Sequence, residues 1–119
     1  MSGEAARIYF DAEFSMMLEH RGVNFTRRER DGEFIIGRSA DCHLVINEPC
    51  VSREHATVTA RHGRAVLIDR SSTGTFIMAN GEHPVLVRRE TVPLMGSGVL
   101  SLGRSPEAAN PNLVHFQAR

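Results

Sequence analysis

Three short segments of the sequence combine groups that can hold an anion with residues that favour turns. Residues 37–39 are a glycine, an arginine and a serine, and they follow the apolar run at 34–36. Residues 52–55 place a hydroxyl, a guanidinium and an imidazole within four positions, and residues 69–75 are rich in hydroxyls. Glycine permits sharp backbone turns, and Ser and Asp bond their own backbone in such turns. The three segments are therefore expected to be loops.

The chemistry that these loops share is anion binding. Arg38 and Arg53 supply positive charge, while Ser52, Ser72 and Thr73 supply neutral hydroxyl donors. A phosphate monoester carries nearly two negative charges and three acceptor oxygens, which suits a set of arginine, hydroxyl and backbone N–H donors. The residue types therefore predict a phosphate-binding site assembled from several loops.

Catalytic arrangements find little support in this sequence. The phosphate loop of nucleotide-binding enzymes needs a Gly-Lys-Ser/Thr motif, and the chain contains no lysine. A triad of Ser52, His55 and Asp69 is conceivable, but no nucleophile elbow surrounds the serine. We therefore expect a binding module that is not itself an enzyme and that needs no cofactor.

Two cysteines and two histidines raise the question of a metal site. Cys42 and Cys50, with His43 and His55, do not match zinc sites, whose ligands usually come in pairs two to four residues apart. In a cytoplasmic protein, small buried thiols are the expected state of such cysteines. We therefore expect no bound metal.

Composition narrows the class of protein. The 119 residues suit one domain, and the formal net charge of zero removes the electrostatic case for nucleic acid or an anionic membrane as partner. No window approaches the roughly 18 to 20 apolar residues that span a bilayer. The first ten residues lack the apolar run of a signal peptide, so a cytoplasmic location is expected.

Short apolar runs separated by turn residues predict an all-β fold. Apolar and polar residues alternate from Phe14, and a turn at residues 20–22 precedes a second alternating run. No long stretch sustains a helical period, although residues 5–18 could also form a helix. A break is expected at residues 96–98. The expected strands lie at residues 14–18, 23–25, 34–36, 44–46, 56–60, 65–68, 75–77, 85–87, 99–102 and 113–116.

The order of the motifs resembles that of the forkhead-associated (FHA) domain, over about residues 14–118. The matching motifs are Gly37-Arg38, Ser52-x-x-His55, Ser72-x-Gly74-Thr75 and Leu94 … Gly98 … Leu102-Gly103. The resemblance implies a two-sheet β-sandwich of about eleven mainly antiparallel strands, whose loops read phosphothreonine. The domain would occupy residues 13–119, after an N-terminal linker or tail at residues 1–12.

The resemblance also implies roles for individual loop residues. Arg38 would contact the phosphate, and Ser52 would donate its hydroxyl to a phosphate oxygen. Arg53 matches a position where the family often places a further basic contact, and Ser72 would also reach the phosphothreonine. His55 matches a structural residue that braces the loops.

One position departs from the family pattern. FHA domains usually carry an asparagine that hydrogen-bonds the peptide backbone beside the phosphothreonine, and this chain has Thr73 there. Threonine offers one short hydroxyl, whereas asparagine offers two amide donors and a carbonyl. Phosphate capture is therefore expected to survive while peptide clamping weakens. Gly37 and Gly74, on either side of this loop set, match structural glycines of the motifs.

A narrower resemblance concerns the parent protein. Residues 87–103 and the Thr-Gly-Thr-Phe-Ile run at 73–77 look like those of FHA domains attached to bacterial class III adenylate or guanylate cyclases. The resemblance implies the regulatory domain of a larger signalling protein, with a phosphothreonine-containing protein or peptide as partner. The alternative, motivated by Thr73, is a phosphate-independent interaction or autoregulatory domain.

Overall fold

The computed structural model describes residues 15–118, which form eleven β-strands and a short 3₁₀ helix at Glu29–Asp31. The predicted tail at residues 1–12 and the predicted strand position Phe14 lie outside the described residues. Among those described, no helix is long and apolar enough to cross a membrane. The strands are β1 (Met16–His20), β2 (Val23–Arg27), β3 (Phe34–Gly37), β4 (Leu44–Val45), β5 (Ala56–Arg61), β6 (Arg64–Asp69), β7 (Thr75–Ala79), β8 (Val85–Val87), β9 (Thr91–Leu94), β10 (Gly96–Leu102) and β11 (Val114–Ala118).

The strands pair into two sheets. Sheet A has the order β2-β1-β11-β10-β7-β8, and sheet B has the order β4-β3-β5-β6-β9. Neighbouring strands are antiparallel except β3 and β4, which are parallel. This confirms the predicted fold, a two-sheet all-β sandwich of eleven mainly antiparallel strands.

Alternation of side chains builds the core between the sheets. On β1, Met16 and Leu18 are buried while Met17 between them is 42% exposed, as a strand with one buried face requires. One hydrophobic cluster joins these side chains of sheet A to Val58 and Leu67 of sheet B. The period-two pattern therefore identifies residues of β1 that hold the sheets together, and the structure places residues 16–18 in a strand and not in the alternative helix.

The structure differs from the prediction around residues 91–98. The expected strands include none at Thr91–Leu94, where the structure has β9, a strand that contains Pro93. Proline is tolerated there because β9 is an edge strand of sheet B. The predicted break at residues 96–98 is wrong, since β10 runs from Gly96 to Leu102. A Cβ on Gly98 would lie 2.3 Å from the Met78 carbonyl oxygen, so this glycine allows close strand packing and does not make a turn.

Strand register in sheet B brings the three candidate loops together. Ile36 at the end of β3 pairs with Ala56 at the start of β5, and Ala56 pairs with Asp69 at the end of β6. The loops at residues 38–43, 46–55 and 70–74 therefore leave the sheet from neighbouring points at the same end of the sandwich.

Candidate functional site

The loop after β3 lies against the loop before β5. The backbone N–H of Arg38 donates to the Ser52 carbonyl and that of Ser39 to the Arg53 carbonyl, each at 3.0 Å. Gly37 permits this approach, because a Cβ there would lie 2.2 Å from the Arg53 carbonyl oxygen. The two loops are thus joined through their backbones, which leaves side chains free to face a ligand.

The Arg38 side chain is exposed, yet its guanidinium is oriented by the protein. Its Nε–H donates to the Val51 carbonyl at 2.9 Å. The two terminal Nη groups keep their N–H bonds for the paired hydrogen bonds that a phosphate accepts. Because one end of the guanidinium is already anchored, less side-chain freedom is lost when an anion binds.

The half-buried Ser52 hydroxyl is held as an acceptor while its own proton remains available. The backbone N–H of Ser72 donates to Ser52 Oγ at 3.3 Å, which ties the third loop to the second. A hydroxyl that accepts this bond still has one O–H to donate. Ser52 is therefore placed beside the Arg38 loop with a donor that suits a phosphate oxygen.

His55 is fully buried beneath the loops and connects them. Its Nδ1 accepts the Ser52 backbone N–H at 3.0 Å, so the ring proton is on Nε2, which donates to the Gly74 carbonyl at 2.8 Å. Burial lowers the pKa of His55, against smaller opposing effects of the Gly74 carbonyl and of Asp69, whose carboxylate lies 3.8 Å away. A neutral imidazole fits these contacts, and neither nitrogen bonds the Ser52 hydroxyl as a catalytic triad would require.

Asp69 organises the third loop from below, a role that the sequence reading missed. This buried carboxylate accepts the backbone N–H and the hydroxyl of Ser71, the Thr75 hydroxyl at 2.6 Å and the Arg89 backbone N–H at 3.0 Å. Four donors from three residues satisfy its charge without a direct ion pair. The Asp-x-Ser spacing was the available signal, because an Asp that bonds the N–H two residues later is typical of turns.

Thr73 directs its hydroxyl into the protein instead of toward a ligand. The side chain is exposed, and its Oγ1 donates to the Cys50 carbonyl at 2.8 Å. The next residue, Gly74, has a φ of +91°, and a Cβ on it would lie 2.7 Å from Leu86 Cδ1. Glycine is therefore required at position 74 for both backbone conformation and space. Thr73 closes the third loop onto the second with the single donor that it has.

The side chains of Arg53 and Ser72, two further predicted phosphate contacts, are held less firmly than those of Arg38 and Ser52. The Arg53 side chain is exposed and makes no hydrogen bond within residues 15–118, although its carbonyl is bonded by Ser39 and by the Cys42 thiol. Ser72 is also exposed, and its backbone N–H is committed to Ser52. Both side chains lie on the site loops and are free to move toward a bound anion.

The two cysteines lie within the first and second loops as free thiols, Cys42 buried and Cys50 half-buried. Cys42 Sγ donates to the Arg53 carbonyl at 3.2 Å, and Cys50 Sγ lies 3.6 Å from the Leu102 carbonyl. Burial raises the pKa of both thiols, which keeps them protonated. Over residues 15–118, no three His, Cys, Asp or Glu side chains form a cluster that could hold a metal ion.

The contacts together describe an anion site on a rigid scaffold. A guanidinium and a hydroxyl have donors to spare, and hydrogen bonds to four loop carbonyls and a buried imidazole fix the loops around them. Donors fixed in advance bind an anion with little reorganisation.

A family model agrees with this arrangement. The model of the FHA domain matches residues 34–103, which contain all three site loops and the strands between them. The chain belongs to the FHA domain family. FHA domains are non-catalytic modules that bind phosphothreonine peptides in signalling.

Solved FHA domains share the fold. The FHA-1 domain of Rv1747 from Mycobacterium tuberculosis is 19% identical, with 88% of this chain and 96% of that domain covered and a TM-score of 0.66. A domain solved in a study of phosphothreonine-dependent FHA interactions is 26% identical, with 88% and 97% covered and a TM-score of 0.62. The FhaA FHA domain, solved in complex with the intracellular domain of Rv3910, is 26% identical, with 90% and 100% covered and a TM-score of 0.57. No curated protein sequence matches the chain significantly.

Proposed function

We propose that this FHA domain binds phosphothreonine-containing segments of a partner protein, with Arg38 and Ser52 as the main phosphate contacts. The observation that carries the proposal is that both side chains are anchored by the protein and still have free donors. The study of phosphothreonine-dependent interactions on a domain 26% identical to this chain supports it. Arg53 and Ser72 are proposed as additional contacts that close on the bound phosphate.

Peptide recognition beyond the phosphate is proposed to be weak. In FHA domains the residue at the Thr73 position is usually an asparagine that bonds the peptide backbone. Here the Thr73 hydroxyl is committed to the Cys50 carbonyl at 2.8 Å. The phosphate should therefore supply a larger share of the binding free energy than flanking residues do. The remaining motif positions, Gly37, His55 and Gly74, are proposed to act by shaping the loops.

The wider context is part of the same proposal. We place the binding domain at residues 13–119, preceded by a linker at residues 1–12, within a larger cytoplasmic signalling protein. The resemblance of residues 87–103 to FHA domains of bacterial class III cyclases supports an adenylate or guanylate cyclase as that protein. The FHA domain itself would then regulate the enzyme and not catalyse.

A peptide-library titration tests the proposal. The 119-residue chain is titrated by calorimetry with peptides that carry phosphothreonine at one fixed position between randomised residues. Matched libraries with unmodified threonine and with phosphoserine are the controls. Binding to the phosphothreonine library alone, or most tightly to it, is the expected result. Equal binding to phosphorylated and unmodified libraries would contradict it.

Thr73 also favours a second candidate function, a phosphate-independent interaction or autoregulatory domain. A site that has lost its peptide clamp could use the same loops, or another surface, to contact a partner irrespective of phosphorylation. The same titration separates the two functions. Absence of binding in all three libraries, together with a partner interaction that survives phosphatase treatment, would favour the second.

A further inference from the structure

Arg89, between β8 and β9, holds the third loop from the side opposite to Ser52. Its backbone N–H donates to the buried Asp69 carboxylate at 3.0 Å, and its Nε–H donates to the Ser71 carbonyl at 3.2 Å. Arg89 also has a φ of +56°, in the left-handed region that arginine seldom occupies. A non-glycine residue in such a conformation marks a position where the surrounding contacts outweigh local strain.

The Ser71 carbonyl that Arg89 grips belongs to the peptide unit whose N–H reaches the phosphate site. The N–H of that unit is the Ser72 N–H, which donates to Ser52 Oγ at 3.3 Å. In the trans peptide found here, the C=O and N–H point in opposite directions. One peptide group therefore connects the Arg89 guanidinium on one side to the Ser52 hydroxyl on the other.

We infer that Arg89 is a positioning residue for Ser52, acting through the Ser71–Ser72 peptide group to hold the hydroxyl in place for phosphate. The inference rests on the proposed function of the site. A cation that bonds the carbonyl end of a peptide group polarises its N–H, and hydrogen bonds in a chain strengthen one another. The guanidinium thereby strengthens the bond to Ser52 Oγ, and the Ser52 O–H stays available to a phosphate oxygen.

The left-handed backbone at this position offers a clean variant. Arg89→Gly removes the guanidinium, keeps the backbone N–H to Asp69 and relieves the strained φ. The matched control is Arg21→Gly in the β1–β2 turn. Arg21 is also an exposed arginine with a positive φ, 52°, and its loss changes the net charge equally. The control separates loss of one positive charge from loss of the particular contact.

The probe is N-acetyl-phosphothreonine N-methylamide, titrated into the full chain by NMR. We expect Arg89→Gly to weaken binding by about two- to tenfold, the size of one lost hydrogen bond, and Arg21→Gly to change it by less than about twofold. The Ser72 amide resonance should shift in the free Arg89→Gly protein, because its hydrogen bond to Ser52 is weakened.

A double-mutant cycle with Ser52→Ala distinguishes positioning from direct contact. If Arg89 acts through Ser52, then Arg89→Gly has no further effect on affinity in the Ser52→Ala background. A loss that persists undiminished there would mean that Arg89 touches the phosphate itself, and it would overturn the inference. An unchanged affinity of Arg89→Gly, with wild-type binding intact, would also overturn it. A wild-type chain that binds neither this probe nor the phosphothreonine library would overturn the proposed function, and the inference with it.

Discussion

The residues of the site differ in whether their side-chain hydrogen-bond donors are already in use. Arg38 and Ser52 contrast with Thr73 in this respect. Arg38 uses one N–H to grip the Val51 carbonyl and Ser52 accepts a backbone N–H, so both retain donors for a ligand. Thr73 has a single donor, and the Cys50 carbonyl takes it. We call Arg38 and Ser52 the phosphate half of the site and Thr73 the peptide half.

The difference shows that anchoring a binding residue need not use up its binding groups. Arginine has five N–H donors, and serine can donate and accept at once, so both can be held and still bind. A threonine hydroxyl that donates inward has no second proton. A loop position that must both brace the fold and bind a peptide therefore favours a side chain with two donors, such as asparagine.

The largest expected effect is on the phosphate half. Arg38→Ala should weaken binding of phosphothreonine peptides by roughly tenfold or more, because hydrogen bonds to charged groups are worth about 1.5 to 3 kcal/mol. Calorimetry with the phosphothreonine library measures it. The matched control is Arg64→Ala, which removes an exposed arginine from the β5–β6 hairpin at the other end of the sandwich. Equal affinities for Arg38→Ala and the wild type would remove Arg38 from its proposed role.

A smaller gain is expected when the peptide half is restored. Thr73→Asn should tighten binding of extended phosphothreonine peptides by about fivefold, the worth of roughly one net hydrogen bond. Affinity for N-acetyl-phosphothreonine N-methylamide should hardly change, because that ligand has little backbone to clamp. Thr73→Ser is the control, since it keeps the hydroxyl that bonds Cys50 and should bring no gain. An equal gain for the minimal and extended ligands would mean that position 73 acts on the phosphate.

A slightly smaller difference in affinity is expected between phosphothreonine and phosphoserine peptides, with phosphothreonine preferred. The two ligands differ by one methyl group, and burying it is worth about 0.8 kcal/mol, or roughly fourfold in affinity. Competition between the two libraries for the same chain measures the ratio. A preference of a hundredfold would show that the methyl also restricts the peptide conformation, and the peptide half would then contribute more than we propose.

Much of the fold follows from local pattern, and its exceptions arise from tertiary contacts. Alternation and short apolar runs bounded by turn residues predict ten of the eleven strands, because apolar side chains of each strand enter the core. β9 is not among the expected strands. Its Pro93 is acceptable because β9 lies at the edge of sheet B, and an edge position is not visible in the sequence. Gly98 suggests a turn in the sequence, whereas the structure shows that it allows the Met78 carbonyl to pack closely against β10.

The candidate site, like the fold, is only partly predictable from the sequence. Residue types indicate an anion site, and the family resemblance singles out Arg38 and Ser52 as phosphate contacts. The hydrogen bond of Thr73 joins residues 23 positions apart, and that of Asp69 to the Arg89 backbone joins residues 20 positions apart. Such partners depend on how loops meet at the end of the sandwich. Sequence therefore identifies the donors, and structure identifies which of them are already in use.

The smallest expected effect is the response of the protein to acid pH, which we expect to change the phosphate half of the site and not the peptide half. The folded-state pKa of His55 is lowered by burial, so the unfolded chain takes up the proton first as pH falls. The stability that the neutral ring contributes is fully present above its ordinary pKa of about 6.5. It is lost progressively as pH falls from there through the lower folded-state value. Chemical denaturation of the free chain across this range, with the His55 ring followed by NMR, measures the loss.

Protonation should act on one side of the ring only. A proton on Nδ1 removes the acceptor of the Ser52 N–H, whereas Nε2–H still donates to the Gly74 carbonyl. The Ser52 amide resonance should therefore move with the titration of His55, while that of Thr73 should stay nearly constant. A ring that titrates at or above the ordinary pKa, or resonances of Ser52 and Thr73 that shift together, would contradict this account. The expected consequence of protonation is that the phosphate half loosens through the Ser52 backbone, while the bond from Thr73 to the Cys50 carbonyl keeps the third loop in place.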